Sequence, residues 1–387
     1  MDPADLRFPG SNAGRSRAYN SGLVLRLVRR GGGAGRAEIA RASGLTTQAV
    51  SNIIAELLDA GLVEETGRRA GGRGLPAVQY GIRADGGHAL GVEVRPDALR
   101  LALVDLSGRP VWSARRGLAR PEPEHVAAEV ERLMAQALGE TALPRDRLRG
   151  LGFVVPGPFG RTGLSDPATE LPGWSDPDME RWFEARLGQP VLIENDANAA
   201  AVAERVSGVA QGLTDYAFLY FGTGLGLGLV ANDALVQGAR GNAGEIGHMV
   251  VGGRRLETVA SRLALASALT EAGAPANTVE DLAAALDAGH PAVGAWLDVA
   301  GEAIGEAVRM VENLFDPQTV ILGGVLPDAL LDRLIAHVPL SAASVAARPD
   351  RALPRLQRGA AGRMTAVLGA GALVIDRMFT PSLDLSA

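Results

Sequence analysis

The chain has 387 residues, enough for two or three domains with substantial cores. Hydrophobic residues make up 47% and charged residues 21%, which excludes wholesale disorder, and no apolar run approaches the roughly 20 residues of a membrane span. Cysteine and lysine are both absent, so disulfides, thiol nucleophiles, cysteine-held zinc, lysine Schiff bases and a P-loop lysine are all excluded. The net charge of −6 is divided unevenly: residues 1–85 carry 12 Arg against 8 Asp and Glu, residues 86–387 carry 26 against 36. A basic head on an acidic body points to a small module that meets a polyanion. The Asp- and Arg-bearing start lacks the pattern of a secretory signal, so a cytoplasmic protein is expected.

Residues 17–30 place Leu23, Val24, Leu27 and Val28 at helical spacing, and Gly31-Gly32-Gly33 should end that helix. A short helix is expected over 36–42 with Ile39 and Ala40 inward, followed by the turn Ser43-Gly44-Leu45. Thr46 then caps a third helix running to about Ala60. At 100° per residue from Thr47, Val50, Ile53, Ile54 and Leu57 fall between roughly 240° and 340°, while Gln48, Ser51 and Asn52 fall between roughly 40° and 140°. One face is core. The other carries short hydrogen-bonding side chains suited to base edges and phosphates. Strands are expected over 62–66 and 77–82, around a glycine-rich loop bearing Arg68, Arg69 and Arg73. Two strands behind such a helix form a wing whose arginines can reach phosphates. The candidate DNA-binding residues are Thr46, Thr47, Gln48, Ser51, Asn52, Arg68, Arg69 and Arg73.

Residues 89–94, 99–106, 150–158 and 190–198 read as apolar strands, several ending in glycine or polar clusters, and 215–230 reads as strand, glycine turn, strand. Helices are expected over 177–187, 199–206 and 300–315, the last leading into a strand at 319–322 and then Gly323-Gly324. Alternating strands and helices indicate an α/β body whose ligand sits at the strand ends.

Taken together these segments resemble the ROK family (repressor, open reading frame, kinase). The front stretch is similar to the winged helix-turn-helix of its repressors. The runs IENDANAA (193–200), FGTGLGLGL (221–229), GNAGEIGHMVV (241–251), LETVAS (256–261) and ILGG (321–324) are similar to its two-lobed, actin-like sugar-kinase body. The resemblance implies a winged helix-turn-helix over 1–84 and a sugar-binding body over 85–387. It further implies a small lobe of about 88–198 plus the C-terminal helix, and a large lobe of about 199–370. Asn195, Asp196, Glu245, His248 and Glu257 match residues that hold sugar hydroxyls, Asp196 being the base in the family's kinases. A set of carboxylates with an amide and an imidazole suits hydroxyls that donate and accept together.

Two departures separate a sensor from a kinase. The kinases cradle phosphate on Asp-x-Gly-x-Thr between the first two strands, but here Glu93-Val94-Arg95-Pro96-Asp97 stands there, with a proline in place of an amide donor. The family's cysteine-rich zinc loop after GHMVV is replaced by Gly252-Gly253-Arg254-Arg255, leaving His248 without thiolate partners. The expectation is a sugar-responsive repressor with operator DNA and a sugar effector as partners. It should form a homodimer or homotetramer, with no catalytic residue, metal, cofactor or membrane contact, and with His248 free to face the sugar. The alternative is an active ATP-dependent sugar kinase carrying a DNA module.

Overall fold

A computed structural model describes residues 13–30, 33–69, 76–157, 171, 173–174 and 178–380. Arg73, the expected helix stop at Gly31-Gly32, and Pro177 lie outside the described residues. In the head, α1 (Ala13–Arg30) buries Val24, Leu25 and Val28. Leu23 and Leu27, expected inside, are half-buried. The stripe is displaced because α1 packs on two partners, the rest of the head and the C-terminal helix of the body. A two-residue strand β1 (Ala34–Gly35) precedes α2 (Arg36–Ser43), which buries Ile39. Helix α3 (Thr47–Asp59) is capped by Thr46, whose Oγ1 accepts from the Ala49 amide at 3.1 Å, and it buries Val50, Ile53, Ile54 and Leu57. Strands β2 (Val63–Arg69) and β3 (Ala77–Ile82) pair antiparallel, and β1 adds to the far edge of β3. A helix-turn-helix with a three-stranded wing results.

Among the described residues the body holds two five-stranded sheets. In the first, β4 (His88–Val94), β5 (Ala98–Asp105) and β6 (Pro110–Gly117) form an antiparallel meander. Helix α4 (Pro123–Glu140) follows, then β7 (Leu148–Val155) parallel to β4, α5 (Met179–Leu187), and β8 (Val191–Asn195) parallel to β7. Helix α6 (Asp196–Ser207) begins directly at the end of β8, three residues before the expected start, so residues 196–198 are helix and not strand. Asn195 causes this: its side chain accepts from the Asn198 amide at 2.7 Å and caps the helix. Nearly every residue of α6 is buried, many of them alanine, so no polar stripe marked its first turn in the sequence.

The second sheet takes β9 (Tyr216–Phe221), β10 (Leu225–Ala231) and β11 (Ala234–Leu235). A small hairpin, β12 (Val250–Val251) and β13 (Arg254–Arg255), and the helices α7 (Leu256–Ala260), α8 (Arg262–Glu271), α9 (Val279–Asp287) and α10 (Pro291–Phe315) come next. Strand β14 (Val320–Gly324) then lies parallel to β9, with α11 (Asp328–His337) leading to β15 (Leu356–Arg358) on its other side. Helix α10 starts nine residues before the expected Ala300, because Pro291 occupies its first turn, where no amide donor is needed.

The last helix, α12 (Thr365–Phe379), joins the parts. It lies between α6 and the first sheet at backbone contact distance. A Cβ added at Gly152 would sit 1.8 Å from the Ala370 carbonyl oxygen, and one at Gly369 would sit 2.2 Å from that of Ala199. One apolar cluster runs from Val24, Ile54 and Tyr80 in the head, through Ala89 and Val104, to Val202, Ile375 and Phe379 in the body. Head and body therefore share a core. Among the described residues no helix is long and apolar enough to cross a membrane.

Candidate functional site

The exposed face of α3 is polar and uncharged where Gln48, Ser51 and Asn52 lie. Gln48 Nε2 donates to Asn52 Oδ1 at 3.0 Å, one turn away, so the two amides hold each other toward solvent. Ser51 Oγ donates to the Thr47 carbonyl at 2.8 Å, and Thr46 is engaged as the cap. Of the expected interface residues, Gln48 and Asn52 thus present their amides most fully, while the two bonded hydroxyls are tied to their own helix. Arg68 and Arg69 are exposed at the end of β2, Arg69 lying 3.4 Å from Glu38. Both α3 and the wing leave their polar groups on the protein surface.

A cavity of about 1040 Å³ is lined from both body sheets, and all five expected sugar-site residues reach it. Asn195 and Asp196 stand where β8 passes into α6. The cap consumes Asn195 Oδ1, which leaves the amide nitrogen for a ligand. Glu194, behind them, accepts from the Asn195 amide at 2.9 Å, from Asn198 Nδ2 at 3.0 Å and from Gln237 Nε2 at 3.1 Å, fixing the junction. The glycine turn between β9 and β10 approaches from the other side, and a Cβ at Gly222 would lie 3.1 Å from Asp196 Oδ2. Side chains here would fill the space a ligand needs.

Burial above all, helped by the Glu93 carboxylate, pushes Asp196 up to about 7, against the pull of the Ala197 amide and the Arg95 guanidinium. Burial likewise raises Glu245, with Glu257 adding and His248 opposing. Asp196 and Glu245 therefore hold protons more tightly than free carboxylates do.

His248 is not free, contrary to expectation. Its Nδ1 lies 2.8 Å from Arg255 Nη2, and its Nε2 lies 3.9 Å from Glu245. Arginine can only donate, so Nδ1 is the acceptor of this contact and Nε2 is left facing Glu245. Arg255 also pairs with Glu257. This chain of Glu245, His248, Arg255 and Glu257 exists because Gly252 and Gly253, at φ +57° and +78°, close a two-residue hairpin that returns Arg255 beside the histidine. Sequence reasoning passed over Arg255, since pairing across a hairpin depends on register.

It also treated Glu93 and Arg95 only as replacements. Glu93 is buried at the end of β4, accepts from Arg95 Nε at 2.6 Å and lies 3.7 Å from Arg100. The Arg95 amide donates to Ala98 at 2.9 Å, closing the β4–β5 turn around Pro96 and Asp97. Burial acts to lower Arg95, but the Glu93 charge, with Tyr220 and Asp196, leaves it raised.

Comparison with known proteins places this architecture. The ROK family model matches residues 89–377, and the MarR family model matches residues 18–74. The xylose repressor of Bacillus spizizenii is 28% identical over 336 residues, which cover 83% of this chain and 84% of the relative. Among solved structures, a ROK family transcriptional regulator described as a homologue of the E. coli MLC protein superposes with a TM-score of 0.70 at 25% identity. It spans 95% of this chain and 98% of the other. The ROK hexokinase of Thermus thermophilus aligns at a TM-score of 0.58 and 27% identity, over 74% of this chain and 97% of its own. With a winged helix-turn-helix ahead of a two-lobed sugar-kinase fold, the chain belongs to the ROK family.

Proposed function

We propose that the protein is a sugar-responsive transcriptional repressor, acting in the cytoplasm as a homodimer or homotetramer. Residues to about 84 bind operator DNA. Residues 85–387 sense the sugar, with a small lobe of about 88–198 plus the C-terminal helix and a large lobe of about 199–370. The observation that carries the reading is the continuous core from α3's neighbours to α12, which ties a polar recognition face to a body whose cavity collects Asn195, Asp196, Glu245, His248 and Glu257. A sugar that draws the lobes together can move the head through that core. Assembly into dimers follows from recognition, since one helix reads few base pairs and paired half-sites multiply specificity.

The test is selection of operator sequence from a random DNA pool, followed by a thermal-shift screen against a sugar panel. Gln48→Ala and Asn52→Ala should each weaken the selected operator by about 1–3 kcal/mol and leave random DNA nearly unaffected. Arg69→Ala or Arg73→Ala should weaken both and reduce the salt dependence by about one unit. Equal losses on both DNAs for Gln48→Ala would remove α3 as the reader.

A second reading, a sugar kinase with a DNA module, draws on Asp196, whose pKa of about 7 suits a general base. The β4–β5 turn speaks against it: Pro96 has no amide, the Arg95 amide is spent on Ala98, and Asp97 stands where the kinase motif has its threonine. No ATP-dependent phosphorylation of any bound sugar is expected; turnover that vanishes in Asp196→Asn would restore the kinase. Purified protein should hold no stoichiometric zinc, because no cysteine is present and Arg255 occupies Nδ1 of His248. Elemental analysis finding about one zinc per chain, lost in His248→Ala, would contradict this.

A further inference from the structure

A second cavity, of about 390 Å³, lies where α1 of the head meets the body. Arg26, Arg29 and Arg30 enter it from the last turns of α1. Arg205 of α6, Asp233 of the β10–β11 turn and Asp376 of α12 line the other side. Arg26 and Arg30 both pair with Asp233, while Arg29 and Arg205 both pair with Asp376, at 3.2 Å and 2.5 Å. Among the described residues four guanidiniums thus face two carboxylates, an excess of two positive charges in a partly enclosed space.

The excess is not idle surface charge. The Arg205 side chain is only 8% exposed, and its Nη1 and Nη2 are bound to the Asp233 carbonyl and to Asp376. Among the described residues its Nε is buried without a hydrogen-bond partner, and so is Arg29 Nη1. Burial, opposed by Asp376 and aided by the Arg205 and Arg26 charges, lowers the pKa of Arg29. A buried N–H on a charged group that lacks an acceptor is costly, and such groups in folded proteins ordinarily have a partner. An acceptor would satisfy these groups, and a negatively charged one best, since both belong to guanidiniums.

We infer that this junction is a binding site for a phosphate group, either inorganic phosphate or the phosphate of a small monoester. A dianion matches the excess of two charges, and its oxygens can accept from the guanidiniums that line the cavity while the existing ion pairs stay intact. The volume is at the lower end of small-molecule sites and leaves room for a short organic tail. Because α1 supplies three of the arginines and the body supplies the rest, a bound phosphate would fasten head to body and so alter operator affinity independently of the sugar cavity.

The test is calorimetric titration of the full-length protein at constant ionic strength in chloride buffer, with inorganic phosphate, with glycerol 3-phosphate, and with glycerol as control. Saturable binding of inorganic phosphate with Kd below about 1 mM is expected. Comparable or tighter binding of glycerol 3-phosphate, with none of glycerol, would assign phosphate esters; binding of inorganic phosphate alone would assign the free anion. Arg205→Gln should weaken binding at least about tenfold and Arg30→Gln several-fold, with the exposed Arg132→Gln unchanged. Hydrogen exchange on the unmodified protein should show phosphate protecting residues 24–30 and 205–213, which keeps the test valid even if Arg205→Gln fails to fold. No saturation by about 10 mM phosphate, or equal affinity in all three variants, would overturn the site.

Discussion

Replacing Asp196 with alanine should abolish sugar binding while leaving operator affinity without sugar within about twofold. Asp196 lines the cavity beside Asn195, and in its ionised form it is a charged acceptor that alanine removes outright. The winged helix lies outside that cavity, so the DNA face is untouched. In the unmodified protein the same group sets a pH dependence. Its carboxyl titrates near 7, facing Glu93, Arg95 and Glu245. If the ionised form accepts from the sugar, affinity should fall about tenfold between pH 8 and pH 6. A flat profile, or tighter binding in acid, would show that Asp196 does not act as the acceptor.

Stability moves the other way. The folded carboxyl keeps its proton up to about pH 7 while the unfolded one loses it near 3.8, so folding is favoured at pH 4 and that advantage disappears as pH rises through 7. Asp196→Asn should therefore stabilise the protein at pH 8 by about 2–4 kcal/mol and flatten its denaturation profile across that window.

The second large effect concerns α12. Gly152→Ala should destabilise the fold by at least about 3 kcal/mol, read as a lower urea midpoint, because the added methyl would lie 1.8 Å from the Ala370 carbonyl oxygen. Backbone cannot move aside as a side-chain tip can. Helix α12 would have to lift from β7, and α12 also bears the core shared with the head. Operator binding should weaken in the same variant, provided the head depends on α12 for its position. An unchanged midpoint would mean that the contact between α12 and the sheet is looser than described.

Much of this was legible in the residues. The head's helices, turn and wing declared themselves because α3 is amphipathic: its core and outer faces separate cleanly at helical spacing, and Thr46 announces the cap. The five residues expected to meet a sugar were singled out by their motifs, and all five line one cavity. Helix α6 was misjudged at its start because alanine packs on every side of it, and periodicity needs contrast. Helix α4, which follows β6, was not anticipated at all, although Pro123 stands in its first turn and Val126, Val130 and Leu133 mark its buried face.

What the sequence by itself determined was local: which segments are helix or strand, which glycines turn, and which residue types can meet hydroxyls or bases. Only the tertiary structure decided the partnerships. That Arg255 takes Nδ1 of His248, that Glu93 and Arg95 close the β4–β5 turn on each other, and that four arginines from two helices converge around Asp233 and Asp376 follow from register and packing. Those contacts join residues as far apart as Arg29 and Asp376, and the periodicity of either segment alone carries no trace of the other. Charge is written in the chain, but the burial that moves Asp196 to about 7 and leaves Arg205 Nε without an acceptor exists only once the elements have packed.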